Sequence, residues 1–153
     1  MSEYQPKFIA DAMLGRLAKR LRLMGFDVLY DPDLDDNKII QRSLEQDRII
    51  LTRDTELASR PIASRSILIL HDHVNEQLMQ VRREMPIVTK HRSLTRCSLC
   101  NSPLETIAKQ DVLDLVPDQV RRSRKVFFKC TGCGKIYWKG SHVERMTDPT
   151  VEN

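Results

Sequence analysis

The sequence predicts an α/β domain, in which a parallel sheet lies between layers of helices, followed by a small hairpin-rich segment. The first part is indicated by short apolar strands that alternate with amphipathic helices through residues 1–90. The second part is indicated by four cysteines, which fall after residue 90 in two pairs of identical spacing.

Four strands and four helices are expected in the first part, in strict alternation. The predicted strands are KFIA (7–10), FDVLY (26–30), RIILT (48–52) and SILIL (66–70). The longer predicted helices cover residues 12–24, 36–46 and 74–85, and a short one follows RIILT. Parallel strands joined by helices require right-handed crossovers, which cover both faces of the sheet. We therefore expect a three-layer parallel sheet.

The first predicted helix is amphipathic. Between residues 12 and 24 the apolar side chains recur at helical spacing and share one face. Arg16, Lys19 and Arg20 share the opposite face, which we expect to lie in solvent. Gly25 follows the last apolar position and is expected to cap the helix, because glycine tolerates the left-handed backbone found there.

Composition restricts the class of protein. The chain has 153 residues, of which 41% are hydrophobic and 30% are charged, enough for one domain with a core and a small appendage. No apolar run approaches the roughly 18 residues that a membrane helix requires, and residues 1–13 lack the basic and apolar regions of a secretory signal. These features predict a soluble, cytoplasmic protein with reduced thiols and no membrane partner.

The positive charge lies in the second part of the chain. Residues 1–90 hold 14 basic and 14 acidic side chains, whereas residues 91–153 hold 11 and 7, which accounts for the net charge of +4. The pattern changes near residues 85–96, so we expect one domain over 1–90 and a second over 91–153. Residues 121–139 carry basic and aromatic side chains without any acid, a combination typical of nucleic-acid surfaces. These side chains are Arg121, Arg122, Arg124, Lys125, Phe127, Phe128, Lys129, Lys135, Tyr137, Trp138 and Lys139.

Aspartates follow every predicted strand of the first part. Because the carboxyl ends of parallel strands meet at one edge of a sheet, we expect these side chains to lie close together. They are Asp11 after the first strand, Asp31, Asp33, Asp35 and Asp36 after the second, Asp54 after the third and Asp72 after the fourth.

Any one of these aspartates taken alone is a good helix cap. Several together repel one another and raise one another's pKa unless a cation neutralises them, and oxygen ligands without His or Cys suit Mg²⁺ or Mn²⁺. Such ions activate water and stabilise the leaving oxygen in phosphodiester cleavage. Arg53 and the basic face of the first helix are candidates for holding substrate phosphates, with ordinary solvated side chains as the other interpretation.

The cysteines form two C-x-x-C pairs, Cys97 with Cys100 and Cys130 with Cys133, separated by 29 residues. Two turns that each present two sulfurs supply the four soft ligands of tetrahedral zinc. A redox pair would open a helix in a βαβ unit, whereas glycines surround Cys133 in a turn before the strand KIYW. The spacing therefore predicts a structural zinc ribbon.

Four segments together resemble a known family: FIADAMLGRLAKRLRLMGFDVLY, RIILTRDTEL, RCSLCNSPL and FFKCTGCGKIYWKGSH. They are similar to the nuclease domain at the C-terminus of mutator-type exoribonucleases, the Mut-seven C-terminal RNase-domain family, over residues 8–146. The resemblance implies a PIN-like domain with a zinc ribbon, in which Asp11 and Asp54 match two catalytic acids. Asp33, Asp35 or Asp36 fits the middle acid, and Asp36 is favoured because it opens the helix DNKII. Asp72 matches none.

The leading hypothesis is a ribonuclease that holds Mg²⁺ or Mn²⁺ at Asp11, Asp36 and Asp54 and grips single-stranded RNA with its zinc ribbon. A non-catalytic RNA-binding or ribosome-associated module is the alternative, and a receiver-like phosphoacceptor, which needs no ribbon, is a more distant one. The residues expected to contact RNA are Arg16, Lys19, Arg20, Arg53, Arg124, Lys125, Lys129, Lys135, Trp138 and Lys139.

Overall fold

The structure, a computed structural model, describes residues 4–63, 65–85, 93–140 and Val143. Strands and helices alternate through the first part of the chain, as the sequence predicts. The elements of this part are β1 (Lys7–Ala10), α1 (Gly15–Leu23), β2 (Val28–Tyr30), α2 (Asp36–Gln46), β3 (Arg48–Thr52), α3 (Thr55–Ser59), β4 (Ser66–Leu68) and α4 (Val74–Glu84).

The four strands form a parallel sheet in the order β2-β1-β3-β4. Phe8 of β1 aligns with Val28 of β2 on one side and with Ile49 of β3 on the other. The chain runs outward from β1 to β2 and then crosses back over β1 to β3, so the direction of the connections reverses between β1 and β3. The edge strands β2 and β4 have three residues each and are shorter than predicted, since each pairs with one neighbour only.

Successive residues of the central strands point to opposite faces of the sheet and fill two cores. Phe8 packs with side chains of α1 and α4 on one face. Ile9 and Ile50 pack with Ile39 of α2 and Leu57 of α3 on the other face. Helices therefore cover both faces, and the predicted three-layer parallel architecture is confirmed.

Helix α1 begins later than the sequence predicts. Residues Ala12–Leu14 form a 3-10 turn, and the α-helix starts at Gly15. A Cβ on Gly15 would lie 2.8 Å from the Tyr30 hydroxyl, which donates a hydrogen bond to the Ala12 carbonyl at 2.9 Å. Tyr30 thus holds the turn that follows β1. At the other end Gly25 has a φ of 100°, which agrees with its predicted role as a cap.

Arg20 does not lie on a solvated face, and this expectation was wrong. Its side chain is buried and donates a hydrogen bond to the Asn75 side chain of α4. Helix α4 packs across α1, so part of the polar face of α1 becomes a contact between helices, which the sequence of one helix cannot reveal. Arg16 and Lys19 are exposed, as predicted.

The second part of the chain contains an antiparallel sheet in the order β5-β6-β7. The first cysteine pair lies in a turn before β5, and the second lies at the turn between β6 and β7. The 29 residues between the two pairs also hold a short helix that the sequence analysis did not anticipate. That helix has six residues, too few to show a helical period. The elements are β5 (Leu104–Ile107), α5 (Asp118–Ser123), β6 (Phe127–Cys130) and β7 (Ile136–Trp138).

Apolar contacts join the two parts. Leu23, the last residue of α1, is buried in one cluster with Leu94, Cys97 and Tyr137 of the second part. The backbone N–H of Leu94 donates to the Leu23 carbonyl at 2.9 Å. Most of the predicted boundary, residues 86–92, lies outside the described residues.

Polar contacts accompany the apolar ones, and they centre on two buried or half-buried charged groups. Arg22 is buried and donates to the carbonyl oxygens of Val28, Ser98 and Leu99 at 3.0, 3.0 and 3.2 Å. It thereby ties the first cysteine turn to α1 and β2.

Asp27 is the second charged group at this junction. It accepts hydrogen bonds from Arg48 and Asn101, both at 2.8 Å. Burial by itself raises the pKa of Asp27, but these two hydrogen bonds outweigh it and hold the pKa below its usual range. The ionised carboxylate therefore bridges the sheet and the cysteine-bearing part.

Among the described residues, no helix is both long and apolar enough to cross a bilayer.

Candidate active site and metal centre

The candidate active site lies where the connections of the sheet reverse. In α/β sheets such a reversal opens a crevice at the carboxyl ends of the two strands that flank it. Here those strands are β1 and β3, and the residues that follow them are Asp11 and Asp54. Asp11 is tied directly to β3, because its backbone N–H donates to the Leu51 carbonyl at 2.9 Å.

Thr52, the last residue of β3, links the two acids. Its hydroxyl donates to Oδ2 of Asp11 at 2.8 Å and accepts from the backbone N–H of Asp54 at 2.9 Å. The side chain is fully buried. The sequence analysis did not single out this threonine, although it is the last residue of a predicted strand and directly precedes Arg53 and Asp54.

Asp54 caps α3 with one of its two oxygens. Oδ1 accepts from the backbone N–H groups of Glu56 and Leu57 at 2.8 and 3.4 Å. Asp54 is therefore a helix cap, and this role occupies only one of its oxygens. Within the described part of the chain Oδ2 makes no hydrogen bond, which leaves it available for a ligand.

Of the acids that follow β2, Asp36 is the one whose pKa is affected by both Asp11 and Asp54. Burial raises the pKa of Asp36 above its usual range, and the charges of Asp54 and Asp11 raise it further. Asp35 is used differently, because its side chain caps α2 by accepting from the Lys38 N–H at 2.8 Å. The charges of Asp11 and Asp54 thus reach Asp36, whereas the side chain of Asp35 is engaged in capping α2.

Arg60 also lies at this edge, and no motif in the sequence pointed to it. Its guanidinium donates to Asn37 at 3.0 Å and lies 3.9 Å from Oδ2 of Asp36. The end of the short helix α3 brings it there, a placement that depends on tertiary structure. A cation at an acidic edge lowers the mutual repulsion of the carboxylates and offers a contact for a substrate phosphate.

The spacing of the carboxylates is wider than that of the cysteines. Within residues 4–63, 65–85 and 93–140, the four cysteine sulfurs form the group of three or more potential ligand atoms that lie within 4.8 Å of one another. Asp11, Asp36 and Asp54 form no such group. Carboxylate oxygens are ligands that Mg²⁺ and Mn²⁺ prefer, and a divalent ion would offset the repulsion between the three negative charges. The three side chains would have to move inward to share one ion.

The cations near the edge differ in their availability. Arg53 forms an ion pair with Asp72, with 2.5 Å between nitrogen and oxygen. Each of the two residues is therefore engaged by the other. Arg16 and Lys19 are exposed on α1 and form no ion pair with any described residue. Arg20 is committed to Asn75.

The four cysteines converge as the sequence predicts. The sulfurs of Cys97 and Cys133 are 3.6 Å apart, and those of Cys100 and Cys130 are 3.3 Å apart. Two Zn–S bonds of about 2.3 Å at a tetrahedral angle separate their sulfurs by about 3.8 Å. The residues therefore fit a structural metal such as zinc.

The pKa values of two of these thiols are shifted in opposite directions. Hydrogen bonds from the side chain and backbone of Ser102 lower the pKa of Cys100 to about 6. The pKa of Cys133 instead rises to about 11: the Lys135 backbone N–H lowers it, but burial and the neighbouring thiols outweigh that effect. A divalent metal removes this conflict, because it binds all four as thiolates.

Tyr137 supports the cysteine group from outside. Its buried hydroxyl lies 3.1 Å from the Cys97 sulfur and accepts from the Ser98 backbone N–H at 3.0 Å. Burial, followed by the contact with Cys97, raises the pKa of Tyr137 to about 12, so the hydroxyl keeps its proton and can donate to a thiolate. Such supporting hydrogen bonds orient metal ligands.

The aromatic residues of the basic stretch are not a surface stripe. Phe127 and Tyr137 are buried and Phe128 is half-buried, because this small unit uses them as its core. Trp138 is half-buried and packs edge-on against Phe127, with 6.5 Å between ring centroids. The five cations of this stretch that were expected to contact RNA are exposed: Arg124, Lys125, Lys129, Lys135 and Lys139.

These features define an α/β domain with acids at the switch point of its parallel sheet, joined to an antiparallel unit whose four cysteines could hold a metal such as zinc. The family model of the Mut7-C RNAse domain matches residues 6–149, nearly the whole chain, and the protein belongs to this family. The resemblance read from the sequence is thereby confirmed. Comparisons with curated proteins and with solved structures found no match. Membership points to a nuclease-like enzyme whose substrate is RNA.

Proposed function

We propose that this protein is a metal-dependent ribonuclease that hydrolyses phosphodiester bonds of single-stranded RNA at the edge formed by Asp11, Asp36 and Asp54. The observation that carries the proposal is the link between Asp11 and Asp54 through the Thr52 hydroxyl at the carboxyl ends of β1 and β3. The charges of Asp54 and Asp11 also help to raise the pKa of Asp36. Acids from three separate segments thus act on one another at the switch point, where α/β folds bind ligands.

The chain's own residues would prepare this edge for the reaction. Thr52 holds Asp11 and the backbone of Asp54 in fixed relation, and α3 orients the Asp54 carboxylate. Arg60, which lies 3.9 Å from Asp36, and the exposed Arg16 would contact substrate phosphates. Mg²⁺ or Mn²⁺ bound by the three carboxylates would supply the activated water and the stabilisation of the leaving oxygen.

The cysteine-bearing unit would serve RNA binding and is proposed as a separate zinc ribbon over residues 91–153, with the nuclease domain over 1–90. Its exposed cations Arg124, Lys125, Lys129, Lys135 and Lys139 form no ion pair with any described residue, so they are available to neutralise phosphates. Four free thiols that converge on a metal site also suit a reducing, cytoplasmic setting.

One observation favours a second candidate, a non-catalytic RNA-binding or ribosome-associated module. In the described residues the oxygens of the three carboxylates are more widely spaced than the sulfurs of the four cysteines. An edge that binds no ion would have this wider spacing. The two candidates make opposite predictions about cleavage.

The test is cleavage of single-stranded RNA with and without Mn²⁺ or Mg²⁺ by the Asp54→Asn variant. Asparagine retains the cap of α3 but removes the charge that a metal requires. We expect at least about a hundredfold loss of rate, on the order of 3 kcal/mol in the barrier, with RNA affinity and thermal stability unchanged.

Asp72→Asn is the matched control, because Asp72 pairs with Arg53 and has a largely exposed side chain. It should cleave within about threefold of the wild-type rate, a difference of under about 1 kcal/mol in the barrier. If a folded Asp11→Asn, Asp54→Asn double variant cleaves RNA at the wild-type rate, the activity belongs to a contaminant or to another site, and the non-catalytic function becomes the better candidate.

A further inference from the structure

A cleft of about 340 Å³ lies at the junction of α1 and the cysteine-bearing unit. Its size is within the range of small-molecule sites. Three segments form its walls: the end of α1, the turn of the first cysteine pair and strand β7. The residues used below are Lys19, Leu23, Leu99, Lys135 and Trp138.

The walls of this cleft are apolar and aromatic. Leu99 projects from the cysteine turn with 55% of its surface exposed, although it is a large apolar side chain. Trp138 is half-buried, and its edge-on contact with Phe127 fixes the indole ring in place. A fixed indole that is still accessible is a preformed surface on which a planar ring can stack.

The rim of the cleft is positively charged. Lys19 and Lys135 are exposed on two of its sides, and neither pairs with an acid within the described residues. Lys135 lies 5.2 Å from the centre of the Tyr137 ring, which holds it near the cleft. No aspartate or glutamate belongs to the described lining. An anionic ligand with a flat apolar part therefore fits this cleft.

The Arg124 guanidinium adds a third cation beside Trp138. A Cβ built on Gly140, which also lines the cleft, would lie 3.4 Å from Nη2 of Arg124 and 3.7 Å from Cδ1 of Trp138. Arginine next to an aromatic ring is a combination that recurs where proteins bind unpaired bases.

We propose that this cleft binds one unpaired nucleotide of an RNA strand, with the base against Trp138 and Leu99 and the flanking phosphates at Lys19 and Lys135. The identity of the strand as RNA rests on the function proposed above. From Gly15 to Leu23 helix α1 extends about 12 Å, with Arg16 exposed between its ends. An RNA strand that lies along α1 would therefore connect this cleft to the acid edge.

The test uses the intrinsic fluorescence of Trp138, the single tryptophan of the chain. The full-length, zinc-loaded protein is titrated with a short oligouridylate in buffer without added Mg²⁺ or Mn²⁺, so that binding is separated from cleavage. We expect saturable quenching. Inorganic polyphosphate, which carries charge but no bases, should bind without quenching.

Substitutions distinguish the base contact from the phosphate contacts. Leu99→Ala should weaken binding about fivefold or more without changing its salt dependence, since it removes apolar contact only. Lys19→Gln and Lys135→Gln should each weaken binding and reduce the salt slope by about 0.7. Arg42→Gln, which removes an exposed charge from α2 on the other face of the sheet, should bind like the wild type. Trp138→Ala, followed by anisotropy of labelled RNA, should lose about five- to hundredfold.

The outcomes separate this proposal from the one on catalysis. Quenching that Leu99→Ala weakens supports the cleft, even if no variant of the protein ever cleaves RNA. If RNA binds without quenching and Leu99→Ala and Lys135→Gln leave its affinity unchanged, the nucleotide site is overturned, whether or not the acids cleave. If an apolar peptide quenches the Trp138 fluorescence and RNA does not, the nucleotide site is also overturned, in favour of a protein partner.

Discussion

At the scale of single residues, the candidate site depends on a buried hydroxyl. Thr52 has one donor and accepts one hydrogen bond, and it uses both to hold Asp11 and Asp54 in register. The two acids follow different strands, and this side chain ties their positions to each other. A buried hydroxyl with two hydrogen-bond partners is costly to remove, because each partner is left without its hydrogen bond.

We therefore expect Thr52→Val to impair both stability and cleavage. Valine has the same shape but leaves the Asp54 N–H and Oδ2 of Asp11 without the hydroxyl, so the free energy of unfolding should fall by about 1–3 kcal/mol. The cleavage rate at saturating RNA should fall while KM changes little, because the acids lose their relative position but the RNA contacts remain. Thr52→Ser keeps the hydroxyl and should retain most of the rate. Equal rates for the valine and serine variants would exclude this role.

At the scale of elements, helix α1 connects the two parts of the protein. Its start follows Asp11 and is held by Tyr30, and its end carries Arg22 and Leu23 into the cysteine-bearing unit. Burial lowers the pKa of Arg22, and the nearby thiols and Asp27 act in the opposite direction. The guanidinium holds the carbonyl groups of Val28, Ser98 and Leu99, so the first cysteine turn depends on a residue from the other part.

Arg22→Gln tests this connection. A glutamine is shorter and cannot reach all three carbonyls, so we expect the free energy of unfolding to fall by about 2 kcal/mol or more. Arg16→Gln is the matched control on the same helix: Arg16 is exposed, and its loss should change stability by less than about 0.5 kcal/mol. Chemical denaturation of the zinc-loaded proteins measures both. If the two variants are equally stable, the buried hydrogen bonds of Arg22 do not hold the cysteine turn.

At the scale of the whole molecule, two pairs of hydrophobic clusters divide the chain. The two clusters on the faces of the parallel sheet contain only residues between Phe8 and Met85. The clusters of the second part are small. One of them contains Cys97 and Cys130 and shares Leu23 with the first part, and the other contains Val112, Val116 and Phe127. We therefore expect a unit with so little apolar core to depend on a bound metal for folding, and the parallel-sheet domain to fold without it.

Removal of the metal should therefore unfold one part first. We expect about one zinc per chain in protein purified without chelator, and Cys130→Ser should release it. Amide hydrogen exchange should then show lost protection over residues 93–140 and retained protection in β1 and β3. Ser123→Ala, a change on the exposed end of α5, serves as a control that should keep zinc and protection alike. Simultaneous loss of protection in both parts would mean that they fold as one unit.

How far the sequence alone determines this protein differs from one feature to another. The helical and strand periods gave β1, α2 and β3 with their observed bounds, because local apolar spacing follows directly from which face is buried. The two C-x-x-C pairs gave the metal site, since four sulfurs at that spacing leave few other arrangements. The aspartates at the strand ends gave the acid edge, because parallel strands share the edge at which they end.

The tertiary structure decided what depends on contacts between distant segments. It buried Arg20 against Asn75 of α4, placed Arg60 at the acid edge and joined Asp11 to Asp54 through Thr52. It also turned the aromatic residues of the basic stretch inward and left Trp138 at a cleft between two parts. The sequence records which side chains are available, but the packing of helices against one another and of the cysteine-bearing unit against α1 determines which of them reach solvent. That packing is cooperative, and no local spacing encodes it.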